Sequence, residues 1–169
     1  MRPIEFTATD SRALERTVRA GDVVFIRIDR TPFASFIGRS AQGRVAVLRL
    51  PQPLSPEQTR RLGRAIDCRL NRWYDMGFDR RSGRQFCSRF VREVLQEATG
   101  TALGEVASLR QLLGRNPGAD LRLWRIWYFG RIPWERRTVT PASLYRSPAL
   151  RVVFDGVVAD QRSNCAKPL

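Results

Sequence analysis

The sequence has no histidine and only one lysine, Lys167, in 169 residues. Histidine is the side chain whose ordinary pKa lies nearest neutrality, so its absence removes the usual general base of a thiol hydrolase. It also removes the commonest metal ligand, and the spacing of the three cysteines, Cys68, Cys87 and Cys165, matches no zinc pattern. We therefore expect no metal, no cofactor and no disulfide framework.

Long apolar runs are also missing. No stretch approaches the roughly 18 apolar residues of a membrane span, and residues 1–20 lack the apolar segment and cleavage site of a secretory signal. We therefore expect a cytoplasmic protein. With 43% apolar and 27% charged residues, the composition is that of a globular domain. We predict one domain over residues 1–169, with an extension at 1–20 and a loose tail at 157–169.

The net charge of +14 comes from arginine, because lysine contributes one of the 30 basic residues. Such a charge can bind polyanions by releasing their counterions. The alternative is a GC-rich coding bias that places arginine wherever a solvated cation will do. The arginines are spread along the sequence, and no known nucleic-acid-binding motif stands out. We expect weak, non-specific and salt-sensitive polyanion binding only.

The apolar pattern predicts strands and helices in one chain. Residues 1–20 are weakly helical, a short helical turn is predicted at 33–37, and β-branched runs predict strands at 23–28, 44–50 and 151–154. A helix is predicted over 55–73, since Ser55, Pro56 and Gln58 form a helix start with a capping box. Its predicted buried face consists of Leu62, Ile66, Leu70 and Trp73.

Two further helices follow a predicted loop at 74–84. Apolar spacing predicts a helix over 86–99, stopped by Gly100, and a shorter one over 106–113. The aromatic run at 121–134 has no clear period, and we interpret it as a core element. The alternative is a membrane-surface patch, because Trp and Tyr flanked by Arg suit a lipid interface.

The stretch RQFCSRFV, residues 84–91, carries the clearest chemistry. Cys87 falls in the first turn of a predicted helix, where free amides and the helix dipole gather positive charge. A thiol there ionises more readily, and the same amides can donate to an oxyanion after attack on a carbonyl. The alternative interpretation is a small buried hydrophobic residue, since free cysteines are often buried.

QFCSRFV, the preceding Tyr74-Asp75 pair and GDVVF at 21–25 together resemble the circularly permuted NlpC-type papain-like cysteine hydrolases. The run NPGADLRLWRIWYFGRIPWERRTVTPASL, residues 116–144, is similar to the YebB group of that branch, which is related to the YiiX group. The resemblance covers residues 21–156. It implies a permuted papain-like α+β domain with a small antiparallel sheet or barrel packed by helices.

The resemblance also implies the chemistry of the site. Cys87 would be the nucleophile, and Tyr74, Asp75, Gln85 and Ser88 are candidate substrate contacts. The substrates would be amide or peptide bonds, or acyl-lipid esters and amides. The family's base is a histidine after the GD strand, oriented by a polar or acidic residue on the next strand.

Here the chain departs from the family, because Ile28 runs almost directly into 30–33 and the histidine-bearing segment is absent. Asp29 is a poor base for a thiol, and Tyr74 is protonated at neutral pH. The leading hypothesis is therefore a thiol hydrolase fold that is inactive or nearly so. The alternatives are an active hydrolase whose sequence has lost a segment, and a basic module that binds nucleic acid or anionic membranes.

Overall fold

The computed structural model describes residues 44–157 in full, together with the backbone of two short strands at 4–6 and 24–26. The strands are β1 (Ile4–Phe6), β2 (Val24–Ile26), β3 (Arg44–Arg49), β4 (Val106–Ser108), β5 (Arg137–Val139) and β6 (Arg151–Val157). The helices are α1 (Pro56–Asp67), α2 (Cys87–Thr99), α3 (Leu109–Gly114), α4 (Leu121–Trp127) and α5 (Pro141–Tyr145). The predicted turn at 33–37 and the tail beyond 157 lie outside the described residues.

The described strands pair two by two. β1 and β2 are parallel, whereas β3–β6 and β4–β5 are antiparallel. The weak helix predicted over 1–20 is wrong at Ile4–Phe6, which is extended because it pairs with β2. The strand predicted at 23–28 is present at its centre. The last strand runs to Val157, farther than predicted, because its backbone stays paired with β3 as far as Arg44.

Helix α1 begins as predicted and ends early. The Ser55 hydroxyl accepts from the Gln58 amide and the Gln58 side chain accepts from the Ser55 amide, which completes the capping box. The helix stops at Asp67 because the Arg69 amide turns to the Ile66 carbonyl and Asn71 takes a left-handed φ of 61°. Leu70 and Trp73 therefore do not extend its apolar face, and the residue it buries fully is Ala65.

Helix α2 packs along α1 and matches the predicted helix within one residue. Its buried side chains are Ser88, Val94 and Ala98. Gly100 ends it at a φ of 77°, a left-handed conformation that glycine adopts without strain. The packed pair is tied by Arg69, whose guanidinium contacts Glu93 at 3.6 Å and Glu97 at 2.9 Å.

Two predictions in the second half of the domain need correction. The helix predicted over 106–113 is a strand followed by a helix, because Ser108 caps α3 and the residues before it pair with β5. The aromatic run is not a core strand or core helix. It forms the surface helix α4, of which no residue is fully buried, and of that run only Ile132 belongs to the core. Together these elements form an α+β domain.

Candidate active site

Cys87 is the first residue of α2 and its side chain is exposed. The preceding residue, Phe86, is extended at φ −134° and ψ 159° and supplies no capping side chain, and no described side chain caps this end. The first-turn amides are thus left for another partner. The predicted position of the cysteine at a helix N-terminus is confirmed, and the small-buried-hydrophobe alternative is wrong because the thiol is exposed.

The thiol opens into a cleft of about 650 Å³, a volume typical of sites for small ligands. The cleft lies between the start of α2, the helix α3, one side of α4 and the strand β5. Most of its lining is apolar. The apolar side chains are Phe78, Leu109, Leu112, Leu113, Ala119, Trp124, Val139, Pro141 and Ala142, and the polar ones besides Ser88 are Arg115, Asn116, Thr138, Thr140 and Arg146.

Tyr74 is the predicted contact residue that meets the thiol. Its hydroxyl donates toward Cys87 Sγ over 3.7 Å. Burial, together with the neighbouring Cys87 and Asp75, raises the pKa of Tyr74 to about 12. Tyr74 therefore stays protonated at neutral pH, where it can donate to sulfur and cannot accept the thiol proton.

Asp75 and Gln85 hold the frame around the site. The buried Asp75 carboxylate accepts from the amides of Gly77 and Asp79, at 2.8 and 3.1 Å, and from the Ser82 hydroxyl at 2.5 Å. These bonds organise the loop at 74–84. Its two ends are joined where the Asp75 amide donates to the Gln85 carbonyl over 2.7 Å.

The Gln85 side chain is buried and donates from Nε2 to Glu93 Oε2 over 2.7 Å, while its Oε1 has no hydrogen-bond partner among the described residues. Ser88 lines the cleft, but its hydroxyl already donates to the Val139 carbonyl over 2.8 Å. That bond fastens the start of α2 to β5. The substrate roles of Tyr74, Asp75, Gln85 and Ser88 stay predictions, and for Asp75 and Gln85 the observed contacts are structural.

Two features of the site were not found from the sequence. The apolar wall from α3 and Trp124 was not predicted. The helix at 106–113 was given no role, and the run that contains Trp124 was interpreted as a core element, since an amphipathic pattern cannot distinguish a core face from a cleft wall. Glu93 was not singled out. Burial alone would raise the pKa of Glu93, but the bonds from Arg89 and Gln85 and the charges of Arg89 and Arg69 outweigh burial and lower it. Glu93 is thus an ionised side chain that holds Gln85 and Arg89, on either side of Cys87 in the sequence.

A family model described as the permuted papain-like amidase enzyme, YaeF/YiiX, C92 family, matches residues 27–154. The chain belongs to this family. The permuted papain-like fold implied by the QFCSRFV resemblance is thereby confirmed at the level of the family. The match covers residues 44–154 of the described domain. It also covers residues 27–43, which the structure does not describe.

Two relatives in the amidase family are similar over most of the chain. The uncharacterized protein YiiX of Escherichia coli strain K12 is 31% identical over 123 residues, which is 73% of this chain. Those residues span 60% of the relative's own length, less than two thirds of it. A crystal structure of the metalloprotein YiiX from Escherichia coli O157:H7 superposes with a TM-score of 0.70 at 30% identity and covers 78% of this chain and 72% of that one.

The donor set of this chain does not fit a metal site in the part that the structure describes. No three Cys, Asp or Glu side chains there are grouped to hold an ion, and the full sequence has no histidine to add. Among the described helices, none has the length and apolar character needed to cross a membrane.

Proposed function

We propose that the Cys87 cleft binds the apolar acyl part of an amide or ester, and that this chain alone does not turn such a substrate over. The observation that carries the proposal is the exposed Cys87 thiol at the α2 N-terminus, opening into a mainly apolar cleft of about 650 Å³. Apolar lining favours a hydrocarbon chain. The membership in an amidase family supports attack on a carbonyl.

The chemistry stops at the acyl-enzyme. In the first half-reaction a C–S bond forms between Cys87 and the acyl carbon, the C–N or C–O bond breaks, and the proton lost by the thiol passes to the leaving nitrogen or oxygen. Release needs a water molecule that loses a proton as it attacks the thioester. Tyr74, the described titratable side chain in contact with Sγ, has a pKa of about 12 and cannot accept that proton. General-base help is worth about a hundred- to ten-thousandfold in rate.

We further propose that the chain lies near the YebB group, on the resemblance of residues 116–144, and that the missing histidine segment after Ile28 causes the defect. Restoring that segment from a histidine-bearing family member, between Ile28 and Arg30, should then restore turnover. If the restored chain gains nothing, the segment is not the cause of the defect.

The test compares the full chain with Cys87→Ala on nitrophenyl esters and nitroanilides of increasing acyl length. We expect at most one equivalent of product in a burst, larger for long acyl chains, without a steady rate, and no burst in Cys87→Ala. Cys68→Ala is the matched control and should keep the burst. Multiple turnovers that vanish in Cys87→Ala would contradict the proposal that the chain does not turn substrate over. A burst that persists in Cys87→Ala would mean that another group is acylated and would contradict the role of Cys87 in the cleft.

A further inference from the structure

Helix α4 has an outer face that combines exposed apolar and cationic side chains. Leu123 and Ile126, three residues apart, are 59% and 75% exposed, and Phe129 just beyond the helix is 97% exposed. Arg122 and Arg125 are exposed as well. The four-residue spacing places Arg122 beside Ile126, and Arg125 lies on the far side of Ile126 from Leu123. These five residues are called the α4 patch. A cluster of large apolar side chains exposed to water is energetically unfavourable, and such clusters often mark surfaces that bind a protein or a membrane.

The inner face of α4 is firmly attached. Trp127 Nε1 donates to the Met76 carbonyl over 2.9 Å, and the Tyr128 hydroxyl donates to the Gly77 carbonyl over 3.0 Å. The Arg136 guanidinium lies over the Tyr128 ring at 5.3 Å. The patch is therefore presented by a helix anchored to the same loop that carries Tyr74.

The patch itself carries charge of one sign, and the acidic residues that flank it in the sequence, Asp120 and Glu135, respectively cap α4 and pair with Arg110. Residues 121–134 contain no acidic side chain, and no ion pair within the described residues involves Arg122, Arg125 or Arg131. The exposed arginines of α1 differ, because Arg60, Arg61 and Arg64 all contact Glu57. The cations of α4 are thus left for an external anion, with apolar side chains between them.

We propose that the α4 patch docks this chain on the surface of an anionic lipid bilayer. A bilayer interface accepts apolar side chains among its acyl chains and attracts arginine to its headgroups, so it satisfies both components of the patch. A nucleic acid would use the arginines alone and leave Leu123, Ile126 and Phe129 in water. Phe129 follows α4 in a left-handed backbone conformation with φ 50°, and its side chain inserts among the acyl chains.

Docking would place the cleft next to the membrane. Trp124, on the inner side of α4, lines the cleft into which Cys87 opens, so one short helix separates that cleft from the proposed lipid contact. The docking itself does not depend on the chemistry of Cys87, and Cys87→Ala should bind vesicles like the unaltered chain. Failure of one proposal is thereby distinguishable from failure of the other.

The experiment measures co-flotation of the full chain with vesicles of phosphatidylcholine alone or with about 30% phosphatidylserine. We expect binding to the anionic vesicles that weakens as salt rises. Ile126→Ser with Phe129→Ser should lower the partition coefficient about tenfold or more, since two apolar side chains lose their burial. Arg122→Gln with Arg125→Gln should also lower it about tenfold on anionic vesicles.

The matched control is Arg60→Gln with Arg61→Gln, which removes the same charge from α1 and should leave binding nearly unchanged. Phe129→Trp should retain binding, and circular dichroism checks that each variant is folded. Equal loss in the α1 and α4 charge variants would mean attraction by net charge and overturn the proposal. Absence of vesicle binding, or patch variants that affect only self-association or DNA binding, would overturn it as well.

Discussion

The two exposed cysteines of the described residues lie at opposite ends of their helices, one at an N-terminus and the other at a C-terminus. Cys87 is the first residue of α2, and Cys68 caps the C-terminus of α1. The helix dipole is positive at the first place and negative at the second. Cys87 also lines the apolar cleft. Cys68 instead lies on an exposed turn, where its backbone carbonyl accepts from the Arg72 side chain. Exposure alone therefore does not define a nucleophile, because helix polarity and an enclosing wall differ between the two thiols.

The two ends also differ in how they are held. The start of α2 is fixed by Phe86, which is 1% exposed and meets Phe78 edge to face at 5.7 Å, and by the Ser88 bond to β5. The end of α1 unwinds into a turn at 68–72, in which Cys68, Asn71 and Arg72 are exposed and Arg69 is the residue tied to α2. A site that must keep a reactive atom beside a wall needs the first kind of support.

The largest contrast should appear in stability. Phe86→Ala removes a fully buried ring and should cost about 3–5 kcal/mol of unfolding free energy. Arg72→Ala removes the side chain that donates to the Cys68 carbonyl and should change the unfolding free energy by less than about 0.5 kcal/mol. Urea denaturation of both variants measures the difference. Similar losses would show that the two helix ends are equally supported and would remove the basis of the comparison.

Thiol reactivity should show the next largest contrast. In a Cys165→Ala background at neutral pH, iodoacetamide should alkylate Cys87 about tenfold faster than Cys68, since the uncapped amides of the α2 N-terminus favour negative charge at the reacting sulfur and the carbonyls at the α1 C-terminus oppose it. Single variants, Cys87→Ala and Cys68→Ala, assign the two rates by mass spectrometry.

Tyr74→Phe sharpens this measurement. Loss of the hydroxyl at 3.7 Å from Sγ should slow alkylation of Cys87 a few-fold and leave Cys68 unchanged. Because the pKa of Tyr74 is about 12, its ionisation should add no step to the rate profile between pH 6 and 10. Equal rates for the two cysteines would contradict the role given to helix polarity.

The smallest effect concerns pH. The pKa of Glu93 is lowered from its ordinary 4.5, so its contribution to stability is present above about pH 4.5 and is lost as the pH falls through the lower folded-state value. Glu93→Gln should cost about 1 kcal/mol at pH 7 after allowing for solvent screening. That cost should shrink toward pH 3.

The matched variant is Glu97→Gln, which removes the exposed partner of Arg69 and should cost less than about 0.5 kcal/mol. Urea midpoints at several pH values provide the measurement. A cost for Glu93→Gln that is unchanged at pH 3 would mean that the carboxylate charge does not anchor the start of α2.

Local signals predicted α1 and α2 well at their starts, because a capping box and a run of apolar spacing act within a few residues. They failed where a distant partner decides. Residues 106–108 carry a helical pattern, yet they pair with β5 about 30 residues away. The aromatic run at 121–134 was assigned to the core by composition, although its helix lies on the surface.

The candidate site divides in the same way. Cys87 and its helix position were readable from QFCSRFV, and the absence of histidine is a property of composition alone. Tyr74 was singled out, but its approach to the thiol depends on the loop closing between Asp75 and Gln85. The cleft wall could not be foreseen, since a leucine in a short amphipathic helix looks the same whether it faces a core or a cavity.

The sequence by itself determined the lack of an imidazole base and pointed to the family and to Cys87 as its candidate nucleophile, because motifs and residue types do not depend on packing. Only the tertiary structure decided that the thiol is open to a cleft, that Ser88 is committed to β5 and that α4 turns Ile126 and Phe129 outward. Those outcomes depend on which elements meet across long stretches of chain, and the free energies that choose among them arise only when the elements pack.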